Sequence, residues 1–284
     1  MPAPLPHYYS SLVAFREVFA GGLPILTYHK LGPRPARVRL KGLYVSGALF
    51  DQQLAELREA GFRSVPPDHG LAGDHVVITF DDGFRNVFEH GLPLLARHGF
   101  RAIQFLLPAR LGQMNTWEQA EGEAPERLMD PAEVRDWLDA GHWIGSHTCT
   151  HPWLTRLPLP QACEEIASSK HRLEDRFGVP VEHFCYPYGD WNEPVRELVA
   201  AAGYRTACTV EPGVNTPDTP RLALKRFTAR YPSRTWRALL TWLWRRGGGM
   251  AGKQAPSSKP QAPEKTQAPI SDAKPPGGGT AVGA

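Results

Sequence analysis

Little in this chain would crosslink it, anchor it in a membrane or fit it to nucleic acid. Its four cysteines, Cys149, Cys163, Cys185 and Cys208, include no C-x-x-C pair. That excludes a zinc ribbon and a dithiol redox motif and leaves free, mostly buried thiols. No run reaches the roughly 20 apolar residues of a membrane span. No Lys/Arg block forms a phosphate-binding stripe, and a formal charge of +3 is too small to imply nucleic acid as a partner. A neutral or weakly anionic substrate suits that balance. The opening Met1-Pro2-Ala3-Pro4-Leu5-Pro6, with Arg16 and Glu17 ahead of any long apolar run, is unlike a secretory signal, so the expected location is cytoplasmic. Internal repeats are absent.

What is present suffices for one large α/β domain with a tail: 284 residues, 42% of them hydrophobic. From Gly247 onward Gly, Pro, Ala, Ser and Lys dominate, and burial there cannot offset the entropy of ordering, so 247–284 is expected to be disordered. Ahead of it, 233–246 reads as a basic, Trp-rich helix with apolar residues at 236, 239, 240 and 243. Such a helix, from about Thr235 to Arg246, either packs on the domain or lies on a membrane surface. Residues 1–19 read as an N-terminal extension and 20–232 as the main domain.

Within that domain strands and helices alternate. Leu23 to Tyr28 is a short apolar strand; Ser46 precedes a helix whose Phe50, Leu54 and Leu57 share a face. Val76 to Phe80 reads as a buried strand, with a helix through Val87, Leu94 and Leu95 to about His98. Ala102 to Leu107 is again strand-like. Asp130-Pro131-Ala132-Glu133 carries the signals of a capped helix start, and the helix runs to about Ala140. Strands then follow at 142–146, 181–186 and 204–208, with helices at 160–177 and 193–202 between them. Repeated β-then-α units imply a parallel sheet, either barrel or open, with ligands at the carboxyl ends of the strands.

One of those ends carries Thr79-Phe80-Asp81-Asp82-Gly83, and another leads into His147 and His151. Taken alone, D-D-G is a turn sequence. Strand neighbours point to opposite faces, so both aspartates reach one site only if the strand ends there. Two histidines at i and i+4 share a side of a helical turn, and with a carboxylate they form a metal-ligand set. The spare carboxylate is then a candidate base.

These segments, with Ser146-His147-Thr148-Cys149-Thr150-His151, resemble the first two signature motifs of the polysaccharide deacetylases, carbohydrate esterase family 4. Phe184-Cys185-Tyr186-Pro187-Tyr188-Gly189 resembles the third, and Pro24-Ile25-Leu26-Thr27-Tyr28-His29 resembles the opening strand of the poly-N-acetylglucosamine deacetylase branch. The similarity covers about 20–230. It implies an irregular (β/α) barrel and a catalytic domain at 20–232. Asp82, His147 and His151 would hold a divalent metal, with zinc first and cobalt, nickel or iron as alternatives. Asp81 would act as base, and a backbone N–H near Tyr188 would face the oxyanion. The substrate would be an N-acetylated amino sugar in a polysaccharide, oligosaccharide or lipid-linked glycan.

Two positions depart from the family. The Arg that orients the base in many members is replaced by Cys185, and the late L-x-H motif that supplies the acid reads Leu222-Ala223-Leu224-Lys225-Arg226. The branch with this opening strand takes its acid from an N-terminal His, here His29, which otherwise simply caps a strand end. Tyr186, Pro187 and Tyr188 are placed at the sugar site, and Trp153 either stacks on a pyranose or packs internally. A carbohydrate-binding pseudoenzyme, an O-deacetylase and a scaffold with a structural metal remain as alternatives. The oligomeric state is left open.

Overall fold

A computed structural model describes residues 8–36, 38–70, 73–119 and 122–231. The helix expected at 233–246, with its membrane contact, and the tail expected at 247–284 lie outside the described residues. Among those described, no helix is long and apolar enough to cross a membrane.

The strands are β1 (Tyr8–Tyr9), β2 (Ile25–Tyr28), β3 (Lys30–Leu31), β4 (Tyr44–Val45), β5 (Arg63–Ser64), β6 (His75–Phe80), β7 (Ile103–Leu106), β8 (Trp143–Ser146), β9 (His183–Cys185), β10 (Thr206–Cys208) and β11 (Phe227–Ala229). The helices are α1 (Arg16–Phe19), α2 (Gly47–Glu59), α3 (Arg85–His98), α4 (Pro131–Asp139), α5 (Leu159–Phe177) and α6 (Glu193–Ala201). The local signals act as expected. Ser46 accepts from the N–H of Leu49 to cap α2, and Asp130 with Glu133 forms a reciprocal capping box on α4.

The main sheet is parallel in the order β1-β11-β2-β6-β7-β8-β9-β10, with β5 paired to the start of β6. One segment links β10 to the opposite side of the sheet. Leu224 pairs with Cys208 of β10, and three residues later the same chain forms β11 and pairs with β2. The result is an irregular, curled (β/α) barrel, which is the fold class expected.

A period of two runs through the main barrel strands and sorts their side chains into two layers. Leu26, Tyr28, Val76, Ile78, Phe80, Phe184, Tyr186 and Phe227 belong to the outer core between sheet and helices. Ile25, Val77, Ile103, Phe105, Cys185, Cys208 and Leu224 form a separate cluster inside the barrel. Continuing the inner alternation gives Ile25-Thr27-His29 on β2 and Val77-Thr79-Asp81 on β6, so the interior turns polar toward the carboxyl ends. Residues 8–19 are not a separate extension. Phe15 and Phe19 lie 5.0 and 6.0 Å from the Phe227 ring, and burying these aromatics joins the segment to the barrel.

Two expectations test this packing. A Cβ added to Gly145 of β8 would lie 2.6 Å from the Phe105 ring and 2.8 Å from the His183 carbonyl oxygen. Gly145→Ala should therefore cost about 1–3 kcal/mol in urea unfolding, and an unchanged midpoint would show that Phe105 yields freely. His142 is buried against Trp137, accepts from the N–H of Ala102, and is pushed down to about 4, chiefly by burial. Between about pH 6.5 and about 4 the unfolded chain binds the extra proton, so stability should fall as the pH falls, by roughly 3 kcal/mol at most. His142→Asn should flatten that slope; an equally steep slope would place its origin elsewhere.

Candidate active site

At the carboxyl ends of β2, β6 and β8 the inner alternation delivers His29, Asp81 and His147. Asp81 is gripped by Arg226, the residue just before β11: its two carboxylate oxygens each accept from the guanidinium fork at 2.8 Å. Arg226 is itself 1% exposed and also donates to Thr27 Oγ1 (2.7 Å), Thr79 Oγ1 (3.2 Å) and the Thr209 carbonyl (2.7 Å), with Cys185 Sγ at 3.1 Å. Burial alone would raise the Asp81 carboxyl, but the adjoining guanidinium holds it below its ordinary value and hence ionised. A guanidinium thus reaches Asp81 from the segment just ahead of β11 rather than from the position of Cys185. The thiol fills the space beside it, 3.6 Å from Asp81.

Asp82 leaves the alternation because its backbone is left-handed, with φ 72°. The turn aims its Oδ1 at the Nε2 atoms of His147 and His151, 3.4 and 3.2 Å away. His147 continues the inner face of β8 and donates its Nδ1–H to the Cys185 carbonyl at 2.7 Å, which leaves Nε2 with its lone pair facing Asp82. The helical turn expected for the i, i+4 histidines is not what joins them. Residues 147–153 form a loop in which Thr148 and His151 have φ 68° and 71°. Glu165 of α5 fixes that loop by accepting from the N–H groups of Cys149 and Thr150 and from the Thr150 hydroxyl. With Tyr188 at φ 60°, every non-glycine residue of positive φ among those described lies at this site.

The donors fit a divalent cation. One atom from each of Asp82, His147 and His151 lies within 4.8 Å of the others, all three residues are buried, and Asp82 Oδ1 has no hydrogen-bond partner among the described residues. A carboxylate oxygen and two imidazole nitrogens converging in this way form a possible metal site with room for further ligands.

His29 stands opposite Asp81, with Nε2 3.8 Å from Asp81 Oδ2, and is partly open to solvent. Its neighbours in the sugar-site reading divide. Tyr186 is fully buried and donates to the Leu222 carbonyl, because the period of two on β9 turns it to the outer layer; it cannot line the sugar site. Pro187 is buried as well. Tyr188 has its ring 4.4 Å from His151 and stacks on Trp153 at 4.1 Å. Trp153 also carries the Arg156 guanidinium 4.2 Å from its ring centre, so a pyranose could stack there only by displacing Arg156.

Like Arg226, Trp117, whose ring stacks on His151 at 4.8 Å, and Glu118 beside it were not expected from the sequence. Both lie in the long connection between β7 and α4, where no motif marks them. Burial, with Asp82 nearby, raises the Glu118 carboxyl to about 7 against the opposing pull of Lys30.

A parallel barrel with a buried Asp-His-His set and a second, Arg-held carboxylate at its carboxyl end is an arrangement suited to hydrolysis. The sequence profile described as polysaccharide deacetylase matches residues 69–207. The chain is 26% identical over 213 residues to the polysaccharide deacetylase homologue YxkH of Bacillus subtilis, covering 72% of this chain and 70% of that protein. Among solved structures, the deacetylase PplD of Streptococcus pyogenes, in complex with acetate, superposes with a TM-score of 0.64 at 22% identity, covering 78% of this chain and 97% of that one. IcaB from Ammonifex degensii superposes with a TM-score of 0.63 at 25% identity, covering 78% and 96%. The chain belongs to the polysaccharide deacetylase family and is a hydrolase of that kind.

Arg226→Met should leave Asp81 as a buried, unpaired carboxylate and cost about 3–5 kcal/mol in denaturant unfolding. Arg226→Met combined with Asp81→Asn should recover part of that loss. An equal loss in the single and double variants would mean that the ion pair is not what holds this interior.

Proposed function

We propose that this protein removes N-acetyl groups from an N-acetylated amino sugar in a polysaccharide, oligosaccharide or lipid-linked glycan. The observation that carries the reading is the division of two adjacent carboxylates between different partners: Asp82 faces two imidazoles, and Asp81 faces a guanidinium. A divalent metal, zinc first and cobalt, nickel or iron as alternatives, would be held by Asp82, His147 and His151. It would supply Lewis acidity for the acetyl carbonyl and an acidified water.

Asp81 is the base in this reading. Arg226 fixes the direction of its oxygens and keeps it ionised, so it can take a proton from water as the new C–O bond forms at the acetyl carbon. His29, with Nε2 3.8 Å from Asp81 Oδ2, then receives that proton from Asp81 and gives it to the sugar nitrogen as the C–N bond breaks, releasing acetic acid and a free amine. The turn at Tyr188, held by Trp153 and pressed against His151, supports a role for its backbone N–H toward the oxyanion, a contribution of about 3 kcal/mol in other hydrolases. An absent Arg and an absent late His would favour a pseudoenzyme; the guanidinium of Arg226 on Asp81 and the imidazole of His29 opposite it support an enzyme instead. Attack on an acetyl ester uses the same groups, so O-acetylated sugars belong in the substrate panel.

Full-length protein supplied with Zn²⁺, Co²⁺ or Ni²⁺ should release acetate from N-acetylglucosamine oligomers, stop on chelation, and resume when metal is restored. Asp81→Asn should abolish release while metal binding is retained. Release at the parental rate by Asp81→Asn would remove Asp81 as the base, and glycan binding without release under every metal would identify a binding protein.

A further inference from the structure

The two histidines facing Asp82 are secured differently. His147 donates its Nδ1–H to a carbonyl, the usual arrangement for an imidazole that ligates a metal, whereas His151 Nδ1 is buried with no hydrogen-bond partner among the described residues. Rings hold His151 instead. Trp117 stacks on it at 4.8 Å with an interplanar angle of 24°, and Tyr188 meets it edge-on at 4.4 Å.

Trp117 belongs to the connection between β7 and α4, whose base is sewn to the Asp81-Asp82-Gly83 turn. Met129 donates its N–H to the Gly83 carbonyl, Arg85 donates to the Arg127 carbonyl, and Met114 bridges Arg127. Farther along this connection the fixed point is a buried cation. Lys30, fully buried and adjacent in sequence to His29, lies 3.5 Å from Glu118 and 3.6 Å from Glu123, with its ammonium over the rings of Phe84 (4.6 Å) and Tyr44 (5.0 Å). Glu118 also accepts from Asn115, and Glu123 accepts from the N–H groups of Arg39 and Leu40. An ammonium buried at this depth needs carboxylates around it, and both carboxylates come from the connection that carries Trp117.

We propose that Lys30, acting through Glu118, is a positioning residue for His151: it seats Trp117 on the imidazole and so replaces the hydrogen bond that His151 Nδ1 does not make among the described residues. The proposal rests on the metal-holding role assigned above to Asp82, His147 and His151. It predicts that metal affinity depends on an aromatic ring at 117 and on the charge at 30, although neither side chain is a ligand.

Co²⁺ binding to the full chain, followed by equilibrium dialysis and by the visible absorption of the bound ion, tests this. Trp117→Leu and Lys30→Met should each weaken Co²⁺ binding about 10–100-fold and alter the absorption band. The double variant should be no weaker than the worse single one, since both changes act through one contact. Trp117→Phe, which keeps a ring, should stay close to the parent. If Lys30→Met does not fold, Glu118→Gln takes its place in the cycle. Parental Co²⁺ affinity in Trp117→Leu, or additive losses in the double variant, would overturn the proposal. Failure of the parent to bind Co²⁺, or binding unaffected by His151→Ala, would overturn the metal site itself and the proposal with it.

Discussion

The ion pair between Arg226 and Asp81 is the interaction on which the rest of this site depends. Both groups are buried, and each would be untenable there alone: an unpaired guanidinium inside the barrel, or a carboxylate forced to take up a proton. Together they satisfy one another through two hydrogen bonds, and threonine hydroxyls and a carbonyl take up donors the carboxylate does not use. Arg226 lies in the stretch that first pairs with β10 and then with β2. Closing the barrel and orienting the carboxylate are therefore one event. A barrel left open at this seam would present the two aspartates without the charge that distinguishes them.

That distinction is the chemical content of the motif. Strand alternation alone would send Asp81 inward and Asp82 out to the helices. A left-handed backbone at Asp82, costing about 1–2 kcal/mol, turns it back toward His147 and His151. The same device recurs at Thr148, His151 and Tyr188, so unfavourable backbone geometry is concentrated where donors must converge. Glu165, bound to three donors of the 148–151 loop, and the Trp153–Tyr188 stack hold these turns in place.

Much of the fold was legible because it follows from local rules. The β-branched run Val76-Val77-Ile78, the capping box at Asp130 and the alternation of elements predicted a parallel α/β domain, and the resemblance at four segments predicted the barrel. The short strands β1, β3, β4, β5 and β11 were not legible, because none of them sits in an alternating β-then-α pattern that would mark it. Tyr186 was misplaced for a related reason: proximity in a motif says nothing of the layer a side chain enters, which depends on its parity along the strand.

The sequence by itself determined the inventory: two adjacent carboxylates at a strand end, two histidines at another, and His29 at a third. These are local facts, set by residue type and strand parity. Only the tertiary structure decided which carboxylate meets which partner. Arg226, 145 positions from Asp81 along the chain, and Trp117, in a connection without a motif, reach the site through barrel closure and the packing of a buried lysine. No local pattern encodes contacts that form only when distant segments share one interior.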